Sequence, residues 1–154
     1  LLQVRPDSAL TALELWVAGG DMLEMRAAAA AVADPPLLQD EEIALRGLTL
    51  QQSILDQVMR TPVEARKSER FKILRKGLGF TLSVVVCAVP GAGFSLLQSM
   101  VDVDDRDVLW ILRQNLKKKR LTRLAPAEVE ALSRRLRSSS IAGVTKPRWA
   151  VSKS

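Results

Sequence analysis

Histidine and tyrosine are both absent from this 154-residue chain. Without histidine, Ser-His-Asp and Cys-His catalysis are excluded, and most zinc sites lose a ligand they need. The single cysteine, Cys87, has no partner for an intrachain disulfide. Its apolar neighbours read as the setting of a buried, inert thiol in a reducing compartment. Aromatic residues are only 4% of the chain, while leucine and alanine are plentiful, a bias that favours helices over sheets. Charge, too, is missing from one long stretch, Gly77 to Val101.

An uncharged run beside a basic flank is formally a membrane-span candidate. Pro90-Gly91-Ala92-Gly93 cuts it in two, however, and Thr81, Ser83, Ser95, Gln98 and Ser99 dilute it. The favoured reading is a buried hairpin: Leu78–Val89 as a central helix, apolar all round, and Ala92–Met100 as its short partner, with Pro90 near the first turn. Membrane association through 77–101 is the least favoured alternative.

The charge that is present is unevenly placed. Residues 1–60 carry a net −5, residues 61–100 a net +4 and residues 101–154 a net +7, for +6 overall. The molecule is polar from end to end, which points to an acidic or polyanionic partner at the C-terminal side. The chain opens on Leu1-Leu2 with no methionine and no signal-peptide pattern, which reads as a C-terminal piece of something longer.

Capping residues divide the chain into helices. Asp7 or Ser8 opens a first helix with a Leu10, Leu13 and Val17 stripe, and Gly19-Gly20 stop it. Trp16 lies one position from that stripe and reads as core or interface. Asp21 with Glu24 makes a capping box for an alanine-rich second helix, whose slim profile allows close approach. Asp40-Glu41-Glu42 open a third, with Ile43, Leu50, Ile54 and Val58 inward. Thr61, Pro62 and Glu64 predict an immediate fourth start, carrying Arg66, Lys67, Arg70, Lys72, Arg75 and Lys76. Pro126 opens the last helix, with Val129, Leu132 and Leu136 inward. Residues 1–137 thus form one helical domain and 138–154 a flexible basic tail.

The stretch the rest is organised around is 104–124. Asp104 or Asp105 caps a single helix whose Val108, Leu109, Ile111, Leu112 and Leu116 share one face. Trp110 and Leu121 project from the opposite side, which predicts a second neighbouring helix there. Between the two faces runs a basic stripe of Arg106, Arg113, Lys117 and Arg120. The Asp104, Asp105, Asp107, Val108 and Arg113 pattern resembles the turn and helix of HEAT/armadillo repeats, and the segment at 33–44 resembles another such repeat. The resemblance implies an all-α fold of stacked helical hairpins, an α-solenoid of about six to eight helices. Within that class the chain also resembles the HEAT-like alkylpurine DNA glycosylases in Asp107 and Trp110 alone, too little to carry that activity over.

No glycine-rich phosphate loop or metal-ligand cluster is visible, so neither enzyme activity nor a cofactor is expected. The primary expectation is a non-catalytic scaffold, holding a protein partner or the rest of a longer chain, in the cytoplasm. Its candidate binding residues are Arg106, Arg113, Lys117, Lys118, Lys119, Arg120, Arg123, Arg134 and Arg135. The alternative is DNA or RNA binding, without sequence specificity, by the same cations with Trp110 or Trp149 stacking on a base, in the nucleoid or nucleus.

Overall fold

Half of the helices begin where a short polar side chain can take up a free amide. Asp21 accepts from the Glu24 amide, Asp40 from Ile43, Ser68 from Phe71, and Asp105 from both Asp107 and Val108. In the computed structural model, which describes residues 6–145 and side chains from 7 to 138, these caps open four of eight α-helices. They are α1 (Pro6–Gly19), α2 (Met22–Val32), α3 (Glu41–Arg60), α4 (Glu69–Ala88), α5 (Pro90–Met100), α6 (Arg106–Leu116), α7 (Lys119–Leu124) and α8 (Pro126–Thr145). The described residues contain no strand, so the fold is all-α. Proline stands at the first helical position of α5, and Gly20 turns the chain out of α1 at φ +77°.

Helices two apart in sequence lie side by side. One row runs α2, α4, α6, α8; on the other side α1 packs on α3, and α3 touches α5. The long α4 is the centre of the molecule. It meets α2 on one flank and α6 on the other, with α3, α5 and α7 also against it. Phe71, Leu74, Leu78, Leu82, Val85 and Val86 of α4 are all buried. Each large side chain removed from water in this way stabilises the fold by about 1.5–3 kcal/mol.

Two buried amides tie the helices together. Gln51 of α3 donates to the Ala29 carbonyl of α2 (3.2 Å) and accepts from the Thr81 hydroxyl of α4 (3.3 Å). Asn115 of α6 accepts from the Ser83 amide (2.7 Å) and donates to the Leu78 carbonyl of α4 (2.9 Å). A polar group so deeply placed costs free energy unless its bonds are met, and these are.

Three expectations need correction. The fourth helix does not start at Thr61. The chain makes a 3-10 turn at Ala65–Lys67 and α4 begins after Ser68, whose hydroxyl provides the cap. The stretch 104–124 is two helices, not one, because Lys118 is extended (φ −72°, ψ 127°). In a straight helix Leu121 would point roughly 140° away from Leu116 at 100° per residue. The break lets both leucines enter the core, Leu121 with α4 and α8 against its helix. Finally, the apolar stretch Leu78–Val89 of α4 is not buried all round, since Phe80 is 48% exposed.

The inward stripes of the first and last helices agree with the coordinates: Leu10, Leu13 and Val17 are buried, as are Val129, Leu132 and Leu136. Trp16 is 42% exposed and so is not a core residue. The tail expected from 138 does not begin there, since α8 continues past Arg137 to Thr145; residues 146–154 lie outside the described residues. Among the described residues no helix is long and apolar enough to cross a membrane.

Candidate binding surface

Among the described residues the most heavily bonded side chain is Arg66, in the turn before α4. Its Nη1 donates to Asp105 and to Asp107, both at 3.0 Å, and its Nη2 to the second Asp105 oxygen at 2.8 Å. The same guanidinium donates to the carbonyls of Thr61 (2.9 Å) and Val58 (2.8 Å) at the end of α3, where Val58 also accepts from the Thr61 amide. Arg75 of α4 approaches Asp107 from the other side, with Nε 2.9 Å from Oδ1. That contact is coulombic, because the Nε–H makes no directed hydrogen bond. The Arg75 guanidinium also lies 3.7 Å above the Trp110 ring. Trp110 in turn rests on Gly79, where an added Cβ would come within 3.3 Å of the ring.

This cluster joins α3, α4 and α6, and it changes the standing of Trp110. One face of the ring is covered by Arg75 and its edge is set against Gly79, so the indole is a packing element. Trp149 lies outside the described residues. Burial alone pushes the Asp105 carboxyl up. The Arg66 hydrogen bond, the Val108 and Asp107 amides and the Arg66 charge outweigh it and hold the carboxyl below its ordinary range. The Asp105 hydrogen bond likewise raises Arg66 against the pull of burial.

A depressed carboxylate stabilises the fold above its unfolded pKa, about 3.9, and the stabilisation is lost as pH falls through the folded value. The urea midpoints of the wild type and Asp105→Asn should therefore differ most at neutral pH. They should converge below about pH 4. A gap that stays constant with pH would show that the Asp105 charge contributes nothing.

The predicted cations fall into separate places. The helix break ends the stripe at Lys117. Arg113 and Lys117 border a shallow hollow of about 230 Å³ with Leu116, Ser133 and Leu136, between α6 and α8. Arg120 instead sits over the exposed Phe80 ring of α4, 4.9 Å from its centre, with the Lys118 ammonium at 5.2 Å. Arg106, Lys119 and Arg123 are exposed. Arg134 pairs with Glu130 and Arg135 with Asp102. The others, Arg106, Arg113, Arg123 and the run Lys117 to Arg120, have no carboxylate partner among the described residues.

Around Phe80 the surface is hollow. A depression of about 460 Å³ is floored by Phe80, Val84 and Cys87 and bordered by Ala33, Leu38 and Arg120. It adjoins a second, of about 490 Å³, between Arg26 and Ala30 of α2 and Ile73, Lys76 and Gly77 of α4. Ala33 and Phe80 belong to both, so the two make one groove between α2 and α4. Neither Arg26 nor Lys76 is among the binding residues expected from the sequence. Their signal lay in the alanine run: Ala30 and Ala33 give the groove a low wall. Cys87 is partly exposed at its floor, and burial pushes its thiol up against the opposing effect of Arg120. No protein family, curated protein or solved structure matches this chain, so the surface is interpreted from its own chemistry.

Proposed function

We propose that the chain is a non-catalytic helical-repeat module of the HEAT/armadillo kind that binds an acidic partner through the cations of α6 and α7. The side-by-side placing of helices two apart supports the repeat reading, since stacked hairpins generate that adjacency. The observation that carries the partner is the charge imbalance. From Arg106 to Arg123 every lysine and arginine lacks a carboxylate among the described residues, while Arg66, Arg75 and Arg46 elsewhere are paired. Unpaired surface cations cost little in water and attract a negative surface over about a Debye length. Arg75 covers one face of the Trp110 ring, which leaves less of it for a base to stack on and favours an acidic protein over nucleic acid.

Titration with a fluorescent polyglutamate peptide tests this reading. Binding should be measurable at low salt and weaken as salt screens it. Replacing Arg113, Lys117 and Arg123 together by glutamate should weaken it about tenfold or more. No binding of polyglutamate at low salt would overturn the proposal. So would tighter binding of random duplex DNA with a steep log–log salt slope, which would assign the cations to phosphates.

A further inference from the structure

We infer that the groove between α2 and α4 is a docking site for an acidic amphipathic helix; the inference rests on the acidic-partner reading and names where the partner's apolar side goes. The groove follows α4 from Ile73 to Ala88, about 22 Å at 1.5 Å per residue, the length of a four-turn helix. Its floor is apolar, and Phe80 at 48% and Ile73 at 45% exposure leave a large uncovered hydrocarbon surface there. Leu15 and Val63 are more exposed still, but here two such side chains line one hollow, and such a patch marks a contact site.

Charge decides the occupant. The charged groups on this groove are Arg26 and Lys76 at one end and Arg120 at the other, with Lys118 also over Phe80. None of these has a carboxylate partner among the described residues. Asp34, between the wall residues Ala33 and Pro35, is not part of the lining. Glu41 lines a further hollow, beyond Leu38 and Ala88. An apolar trough edged by cations fits a helix with leucine-like side chains on one face and carboxylates beside them. The chain's own residues 139–154 contain Lys146, Arg148 and Lys153 and no Asp or Glu, the wrong sign for this groove. A nucleic acid would engage the cations and leave the trough unfilled.

The test uses a labelled 15-residue peptide with leucine at i, i+4, i+7 and i+11 and glutamate on the flanks. A scrambled isomer of equal charge is the control. The ordered peptide should bind at least about tenfold more tightly than the isomer. Phe80→Ser should remove about tenfold of that affinity, and so should Arg26→Glu, both at exposed positions where the thermal midpoint serves as a check on folding. Bound peptide should also slow alkylation of Cys87 at the groove floor. Equal binding of the isomer, or an unprotected Cys87, would overturn the groove while leaving the α6–α7 reading intact if polyglutamate still binds. Failure of both peptides and of polyglutamate would overturn both. Random duplex DNA that protects Cys87 as well as the peptide does would overturn the choice of partner.

Discussion

Arg66→Ala should lower the unfolding free energy by about 3–5 kcal/mol, the cost expected when one member of a buried ion cluster is removed. The side chains of Arg66, Asp105 and Asp107 are only 12%, 10% and 9% exposed, so solvent cannot replace the lost partner well. Two kinds of group are left wanting. The Asp105 carboxylate loses both of its Arg66 hydrogen bonds, and Asp107 keeps only Arg75. The Val58 and Thr61 carbonyls at the end of α3 lose a charged donor. Arg66→Lys should recover less than half of the loss, because an ammonium cannot span two carboxylates and a helix end with a planar fork. Combining Arg66→Ala with Asp105→Asn should cost less than the sum of the two, by about 1–3 kcal/mol. Urea unfolding followed by circular dichroism gives all three values. A loss below about 1 kcal/mol would mean that Arg66 behaves as a surface ion pair does.

That cluster also shows where reading the sequence stopped. The starts of α2, α3 and α5 were legible because a cap or an N1 proline is a local signal. So were the inward stripes of α1 and α8, which depend only on helical period. Arg66 stood among five other basic residues and nothing local set it apart; its carboxylates lie 39 and 41 positions away. The start of α4 was misplaced because Thr61-Pro62 satisfies the same local rule as Ser68, and only the inward turn of Arg66 decides between them. The break after α6 was hidden for a similar reason. Leu116 and Leu121, five apart, can both be buried by one helix with two neighbours or by two helices with one, and sequence spacing does not separate these. The groove was invisible for a third reason. Exposure of Phe80 depends on the low alanine wall of a helix some fifty positions earlier, a property of the packed pair and of neither segment alone.

Gly93→Ala should destabilise the fold by about 1–3 kcal/mol, although an alanine inside a helix ordinarily gains up to about 1 kcal/mol over glycine. The sign is set by Val86. A Cβ on Gly93 would stand 2.8 Å from the Val86 Cγ1 and 2.9 Å from its Cα. The first contact alone could be relieved by a rotamer; the second is with backbone in the last turn of α4, where Val86 is fully buried and has no room to retreat. Helix α5 would have to lift instead, loosening Phe94 and Leu97, both buried. Gly91, two residues earlier on the same helix, supplies the control, because a Cβ there meets nothing within 4 Å. Gly91→Ala should be neutral or stabilising by up to about 1 kcal/mol. For a domain of this size the Gly93 variant should melt several degrees lower, at about 2–4 °C per kcal/mol. If both alanines raise the melting temperature alike, the α4–α5 spacing is not set by the missing side chain at 93. The short helix would then be free to shift on its longer neighbour.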